Sequence, residues 1–280
     1  MVETHGLGPY RIGRRRALGL AVLGSLGVTI GSGVLAGDVA SRARRLKVVA
    51  RPAVPVPQHQ APAPVPTVPT VPQPNIPLAA WTKPAYKVSD LMPFAPANAV
   101  ALTIDDGPWP EWTPRILDLL AKYDVKATFC MIGMQVPQNQ QLVRMVHEAG
   151  HQIANHTQTH PLRIAKFTRA QVEVEISTAT KHLVDVTGEY PRLFRSPGGN
   201  WSTPLFEATA AHGMLPIDWD VDPRDWSRPG TDHVINTMLR AKPGDILLCH
   251  DGGGDRSQTL SALKTVIPQL KSRGLQFITL

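Results

Sequence analysis

The sequence predicts an α/β fold over residues 95–280, a distorted (β/α) barrel with about seven parallel strands. Apolar strand-like runs alternate with amphipathic helical stretches to the end of the chain, which is typical of parallel βαβ units. No glycine-rich fingerprint follows the first strand, and this disfavours an open nucleotide-binding sheet. Short polar motifs come directly after several strands, where the carboxyl edge of such a barrel carries its functional groups.

Hydrophobic periodicity places the strands and helices in order. The predicted strands cover residues 99–104, 127–132, 151–154, 193–195, 214–217, 246–249 and 276–280. The predicted helices between them cover residues 114–123, 140–148, 169–186, 204–211, 232–240 and 260–272. Thr113 precedes Pro114, and this pair predicts an N-cap followed by proline at the first helical position.

The N-terminal region differs in character from the predicted domain. A basic cluster at residues 11–16 precedes residues 17–36, which carry no charge and could cross a bilayer as a helix. The sequence RRRAL at residues 14–18 is similar to a twin-arginine export signal. Basic residues on both sides of the uncharged stretch leave open whether it is a retained anchor or a cleaved signal.

A proline-rich tract at residues 52–77 favours an extended polyproline II spacer. The predicted organisation is therefore an export signal or membrane anchor at 1–46, an extended linker at 47–94 and a folded domain at 95–280. This order predicts an extracytoplasmic domain that is either anchored to a membrane or secreted.

The net charge of +7 is unevenly distributed along the chain. Residues 95–280 contain 18 Lys+Arg against 19 Asp+Glu, whereas residues 1–94 contain 11 against 3. A nucleic-acid groove concentrates positive charge on the folded domain. The distribution therefore argues against nucleic acid as a partner.

The two cysteines, Cys130 and Cys249, each lie in an apolar strand-like run. Neither has the Cys-x-x-Cys spacing of a metal or redox site. Two buried thiols are expected, and a disulfide stays open because sequence does not give their separation.

Two adjacent carboxylates, Asp105 and Asp106, end the first predicted strand and are followed by a Gly-Pro turn. Adjacent carboxylates repel each other, so a fold that presents both usually neutralises one. Giving one to a metal ion leaves the other free to act as a base. His156 and His160 are four residues apart and would share one face of a helical turn, which suits Zn²⁺. Taken alone, either motif is equally consistent with ordinary surface residues.

Three further motifs follow later strands. Residues 195–201 (RSPGGNW) offer a cation, a stiff turn and backbone N–H groups that could face an oxyanion. Residues 222–226 (DPRDW) supply carboxylates and an indole, and residues 246–251 (ILLCHD) end a buried strand with an imidazole. Each alone is compatible with an ordinary loop or strand end. A Ser-His-Asp hydrolase is disfavoured because no Gly-x-Ser-x-Gly elbow occurs.

Taken in order, the five motifs resemble those of polysaccharide deacetylases, the NodB-like carbohydrate esterase family four. The similarity extends over residues 97–280. It implies a distorted (β/α) barrel that removes acetyl groups from N-acetylated or O-acetylated polysaccharides. It also implies a divalent metal cofactor, with Zn²⁺ expected first and Co²⁺ or Mn²⁺ as alternatives.

The resemblance implies a role for each motif residue. Asp105 matches the catalytic base, and Arg195 matches the arginine beside it. His250 matches the catalytic acid, and Asp225 matches the carboxylate that orients it. The implied metal ligands are Asp106, His156 and His160. The implied substrate contacts are Leu248, Trp226, Pro197, Gly198 and Trp201. Gly198 stands where the family commonly has an aromatic residue, and Trp201 is the expected replacement for that wall.

These assignments predict an N-deacetylase of cell-envelope glycan, with peptidoglycan N-acetylglucosamine as the expected substrate. The export segment and spacer favour peptidoglycan over a foreign polymer such as chitin. The alternatives are an O-acetyl esterase of the acetylxylan type, a chitooligosaccharide deacetylase and a non-catalytic glycan-binding module. The membrane is the other expected partner, through the N-terminal segment, and the catalytic domain is expected to be monomeric.

Overall fold

The computed structural model describes residues 81–280, so the predicted export segment and most of the predicted linker lie outside the described residues. Seven parallel strands form one sheet, in the order β5-β4-β3-β2-β1-β6, and β7 pairs with the first half of β1. The predicted α/β fold class is confirmed. The strands are β1 (Ala99–Asp105), β2 (Thr128–Met131), β3 (Gln152–Asn155), β4 (Leu193–Phe194), β5 (Leu215–Pro216), β6 (Ile246–His250) and β7 (Gln276–Ile278).

Helices alternate with the strands along the chain. They are α1 (Val88–Leu91), α2 (Thr113–Lys122), α3 (Gln140–Glu148), α4 (Arg169–Thr187), α5 (Thr203–Ala211), α6 (Thr231–Met238) and α7 (Ser257–Ser272). Within residues 81–280, none of the helices combines the length and the apolar character needed to span a bilayer. The N-cap prediction for Thr113 is wrong. Thr113 is the first residue of α2, and its hydroxyl is used elsewhere, between Trp109 and Asp251.

The alternation of side chains along β1 separates a core face from a site face. Even-numbered residues of β1 pack into the largest hydrophobic cluster, together with α2, α3, α6 and α7: Val100, Leu102 and Ile104. The odd-numbered residues Thr103 and Asp105 point the other way. Register with β6 places Leu248 beside Thr103 and His250 beside Asp105. Polar groups therefore collect at the carboxyl end of the face opposite that core.

The sheet is curled but not closed by strand pairing within the described residues. Single bridges instead join Ala85 to Ile217 and Val221 to Leu247 across the gap between β5 and β6. Ala85 is fully buried, so residues 84–91, which the sequence interpretation assigns to the linker, pack against the sheet.

Both cysteines lie in the sheet, Cys130 on β2 and Cys249 on β6. Each is a free and fully buried thiol, as the apolar runs around them predict. Burial raises the pKa of both thiols well above the ordinary value, so they behave as small core side chains.

Candidate active site

The adjacent carboxylates lie where β1 ends and the chain turns. Asp105 is the last residue of the strand, and Asp106 has a φ of 76°, followed by a cis Gly107–Pro108 bond. The turn gives the two side chains different neighbours. Asp105 contacts a buried arginine, whereas Asp106 contacts two imidazoles.

Arg195 holds one oxygen of Asp105. The guanidinium is fully buried, and its Nη1 donates to Asp105 Oδ1 at 2.7 Å and to Thr103 Oγ1 at 2.7 Å. Its Nη2 donates to the backbone carbonyl of Asp218 at 2.8 Å. Burial lowers the pKa of Arg195, but the charge of Asp105 outweighs this and leaves that pKa above its ordinary value. A buried cation held by three acceptors fixes the Asp105 carboxylate in one orientation.

His156 has its tautomer fixed by the backbone. Its Nδ1 lies 2.8 Å from the carbonyl oxygen of Arg195, and since a carbonyl can only accept, Nδ1 carries the proton. In the neutral ring the lone pair is then on Nε2, which points at Asp106. This is the usual preparation of a metal-binding histidine, whose far nitrogen donates to a fixed acceptor.

Asp106, His156 and His160 fit a divalent cation. Their ligand atoms lie within 4.8 Å of one another, and Asp106 Oδ1 has no hydrogen-bond partner among residues 81–280. That oxygen is 3.6 Å from His156 Nε2 and 3.2 Å from His160 Nε2, both too long for a charge-assisted hydrogen bond. Ligand atoms about 2.0–2.1 Å from a tetrahedral zinc would lie roughly 3.3–3.4 Å from each other. The two distances from Asp106 Oδ1, 3.2 Å and 3.6 Å, lie on either side of that range.

The prediction that the two histidines share a helical turn is wrong. Both lie in the loop after β3, where Thr157 and His160 have positive φ values of 66° and 56°. The two rings nevertheless come together, with centroids 4.9 Å apart. The loop, and not a helical turn, therefore brings the two imidazoles together.

Glu175 on α4 holds this loop and was missed by the sequence interpretation. The carboxylate is buried, and it accepts from the backbone N–H of Thr159 at 2.8 Å and from the Thr159 hydroxyl at 2.6 Å. Thr159 lies between the two histidines in sequence. The signal that could have found Glu175 is an acidic residue on the apolar side of a predicted helix.

His250 and Asp225 form a second buried pair. His250 Nδ1 lies 2.7 Å from Asp225 Oδ1, and the His250 backbone N–H donates to Asp225 Oδ2 at 2.9 Å. Thr259 on α7 donates to the same Oδ2 at 2.6 Å. Asp225 begins a short 3₁₀ helix, Asp225–Ser227, and is only 1% exposed. The ring of His250 is therefore held from one side, with Nε2 free.

The carboxylates around His250 favour its charged form. Burial lowers the pKa of His250, but Asp225, Asp106 and Asp105 outweigh burial and raise that pKa to about 9. Burial alone would raise the pKa of Asp225. The hydrogen bonds from His250 and Thr259 outweigh burial and leave that pKa below its ordinary value. A proton therefore rests on His250 near neutral pH.

The sequence interpretation also gave no role to another buried carboxyl, Asp251. It is fully buried and accepts from the Thr113 hydroxyl at 2.5 Å, and burial raises its pKa to about 7. Its carboxyl group lies directly behind Gly107, where a Cβ would overlap it. The backbone of Gly252 likewise approaches the carbonyl of Asp106 too closely for a side chain. These contacts fix the Asp105–Asp106 turn against the end of β6.

The residues predicted to contact the substrate differ in how exposed they are. Leu248 and Pro197 are buried, and Gly198 has a φ of 61° in the turn Pro197–Gly199. Trp226 is 48% exposed, directly after Asp225. Trp201 is held in an aromatic cluster, with its ring stacked on Phe206 and its Nε1 donating to Asp218.

Fold and site together define an α/β protein with a candidate metal centre at the carboxyl edge of a curled parallel sheet. Residues 95–217 match the family model described as Polysaccharide deacetylase. The chain is 43% identical over 183 residues to a peptidoglycan-N-acetylglucosamine deacetylase of Bacillus cereus, covering 64% of this chain and 85% of that protein. It is 40% identical over 192 residues to a chitooligosaccharide deacetylase of a Bradyrhizobium species, covering 64% and 87%. The chain belongs to the polysaccharide deacetylase family and is a polysaccharide N-deacetylase.

One of the similar solved structures is a pseudoenzyme. A family 4 carbohydrate esterase pseudoenzyme of Bacillus anthracis aligns with a TM-score of 0.63 and 31% identity, covering 69% of this chain and 68% of that one. The fold is therefore compatible with loss of activity. Catalysis depends on which site residues a member retains.

Proposed function

We propose that the chain removes acetyl groups from the N-acetylglucosamine of peptidoglycan, using a divalent cation held by Asp106, His156 and His160. Zn²⁺ is the expected ion, and Co²⁺ or Mn²⁺ could replace it. The observation that carries the proposal is the unpartnered oxygen of Asp106 facing two imidazole nitrogens. A buried carboxylate oxygen and two imidazole nitrogens that converge in this way form a donor set that suits a divalent cation.

The cation would supply Lewis acidity toward the acetyl carbonyl and make a bound water more acidic. Asp105 accepts the proton of the attacking water through Oδ2, since Arg195 occupies Oδ1. Asp105 Oδ2 lies 3.7 Å from His156 Nε2 and so borders the ligand cluster. The general base therefore lies beside the residues that would hold the cation and its water.

His250 donates a proton to the leaving amine nitrogen. Its Nδ1 is engaged by Asp225, so the transferable proton is on Nε2. The water oxygen bonds to the carbonyl carbon, the carbon–nitrogen bond breaks, and acetate and an amine result. Gly198 offers a backbone N–H to the oxyanion, and Leu248 offers an apolar surface to the acetyl methyl group.

The substrate and the location follow from the relatives and from the N-terminal sequence. The Bacillus cereus relative is named for peptidoglycan N-acetylglucosamine. The uncharged stretch and the proline-rich tract of this chain suit a domain that works outside the cytoplasm, next to the cell envelope. We infer division into an anchor or signal at 1–46, a spacer from 47 and a monomeric catalytic domain.

A chitooligosaccharide deacetylase is the second candidate. The Bradyrhizobium relative carries that name at nearly the same identity. An O-acetyl esterase activity and a non-catalytic glycan-binding role are less well supported. Binding alone requires neither a charged imidazole at His250 nor the buried Arg195–Asp105 pair.

An acetate-release screen tests the proposal. Full-length protein is incubated with peptidoglycan, N-acetylglucosamine oligomers and acetylxylan, each with added Zn²⁺, Co²⁺ or Mn²⁺ and with a chelator. Release from peptidoglycan that the chelator abolishes and Zn²⁺ restores is the expected result. Release only from oligomers would indicate the second candidate, and no release from any glycan would refute the enzymatic proposal.

A further inference from the structure

A large pocket lies beside the predicted substrate contact Trp201. It measures about 1130 Å³ and is formed between α5 and residues 81–86, next to the turn at residues 197–199. Four aromatic side chains line it: Trp81, Tyr86, Trp201 and Phe206. Exposed polar side chains complete the lining, among them Thr203 and Glu207.

The pocket wall is connected to the general base by a short chain of hydrogen bonds. Trp201 Nε1 donates to Asp218 Oδ2 at 2.9 Å, and Arg195 donates to the Asp218 carbonyl at 2.8 Å. Arg195 also binds Asp105. Gly199, which follows the predicted substrate-contacting Gly198, lines the pocket itself. The pocket and the turn that carries the predicted substrate contact Gly198 therefore share a residue.

We propose that this pocket binds sugar rings of the substrate polymer that lie beyond the ring being deacetylated. This inference rests on the proposed function, because it assumes that the substrate is a glycan chain. A pyranose ring has an apolar face of C–H groups that stacks on aromatic rings and a rim of hydroxyls that needs polar partners. The pocket offers both.

The shape and composition favour a saccharide over other ligands. Pockets of about 300–1,000 Å³ enclose drug-sized molecules, so this volume accommodates more than one sugar ring. Trp201 is rigid, since it stacks on Phe206 with an interplanar angle of 12° and donates to Asp218. Tyr86 is 42% exposed and therefore available to a ligand. The main competitor is the chain's own proline-rich tract, because aromatic grooves also bind polyproline.

Binding measured without turnover tests the pocket. The parent is the full-length chain carrying Asp105→Asn, and the probes are the dimer and the hexamer of N-acetylglucosamine, titrated by calorimetry. Trp81→Ala and Tyr86→Ala are added separately to the parent. Phe94→Ala is the matched control, because Phe94 is 84% exposed and does not line the pocket.

We expect each pocket variant to bind the hexamer about fivefold to tenfold more weakly, with dimer binding unchanged. Phe94→Ala should leave both affinities unchanged. Equal hexamer affinities in parent and pocket variants, or an equal loss for dimer and hexamer, would overturn the proposal. Equal affinity of the parent for dimer and hexamer would also overturn it, as expected if the proline-rich tract fills the pocket. The binding result does not depend on the acetate-release screen, because the titrations measure affinity and not turnover.

Discussion

His156 and His250 are both buried and both lie near the same pair of aspartates, yet their Nδ1 atoms contact different groups. A backbone carbonyl accepts from Nδ1 of His156, whereas a carboxylate engages Nδ1 of His250. The carbonyl fixes a tautomer without adding charge. The carboxylate adds a negative charge and so stabilises the imidazolium.

The difference shows how one residue type obtains two functions within one site. A neutral ring with its lone pair on Nε2 can bind a cation, whereas a charged ring can donate a proton. Asp105 and Asp106 raise the pKa of both rings, so the added charge of Asp225 is what sets His250 apart. Variants that change those supporting groups are therefore the sharpest tests.

The largest effect is expected at the base. Asp105→Asn keeps the size of the side chain but removes its proton affinity, and we expect kcat to fall about 10³-fold. Metal content, measured by elemental analysis, should stay the same because Asp105 is not in the ligand set. Asp222→Asn, at a partly exposed carboxylate near Asp225, is the control and should have wild-type activity. Substantial activity in Asp105→Asn would refute the assigned base.

The next effect concerns the support of His250. Asp225→Asn removes the charge that raises the pKa of His250 to about 9, so that pKa should fall toward its ordinary value. A general acid must be protonated, so the alkaline limb of the pH–rate profile should move to lower pH. A bound cation also lowers the pKa of His250, which places the wild-type limb below 9.

The expected loss of kcat at pH 8 is about 10²-fold for Asp225→Asn. The loss should be smaller at pH 6, where more of His250 is protonated. A loss that is the same at every pH would indicate that Asp225 serves the fold and not the proton on His250.

The next variant concerns the loop that carries the predicted metal ligands His156 and His160, which Glu175 contacts through Thr159. Glu175→Gln removes the charge that holds both polar hydrogens of Thr159, so the loop between His156 and His160 should loosen. We expect metal affinity to fall about tenfold, measured by competition with a chromophoric chelator. Glu173→Gln on the same helix is the control, because Glu173 contacts His212 and not the loop. Unchanged affinity in Glu175→Gln would show that the loop keeps its shape without this carboxylate.

The smallest effect lies outside the site, at His151. Burial lowers the pKa of this ring to about 4, and Nδ1 accepts from the N–H of Ala127 at 3.1 Å. The folded state therefore favours neutral His151, and its contribution to stability is complete above pH 6.5. It is lost as the pH falls toward 4, because the unfolded chain takes up the proton first.

Between pH 8 and pH 6 this linkage should lower the free energy of unfolding by about 1 kcal/mol. His151→Gln keeps an acceptor for Ala127 but does not titrate, so its denaturation midpoint should vary less over that range. Activity at pH 8 should be unchanged. An equal pH dependence in both proteins would assign the effect to other groups.

The sequence contained most of the fold because the strands alternate or are continuously apolar. The odd–even pattern of β1 alone separates Val100, Leu102 and Ile104 from Thr103 and Asp105. The packing of residues 84–91 was not predictable, because a proline-rich tract precedes them and composition favoured a linker. The bridges from Ala85 to Ile217 and from Lys87 to Asp245 show that they pack into the gap beside β5.

The site was predictable as a set of residues but not as a geometry. Asp105, His156 and His250 each lie at or directly after the end of a strand, so their meeting at one edge follows from parallel pairing. The assumed helical spacing of His156 and His160 was wrong, because two left-handed residues shape the loop instead. The place of Glu175 on the apolar side of a helix signals burial but not its partner, and Asp251 has no local signal for its role, since both roles arise from contacts between distant elements. The residue roles themselves stay predictions until the variants above are measured.

The position of β1 in the sheet has a consequence for biosynthesis. The strand that carries Asp105 has β6 and β7 among its partners, and these are the last two strands of the chain. Its pairing is therefore completed only after nearly all of the domain has left the ribosome, and loop-closure entropy makes such distant pairing slow. A nascent or C-terminally truncated chain would hold both aspartates without their scaffold. The enzyme's activity would then depend on the presence of β6 and β7.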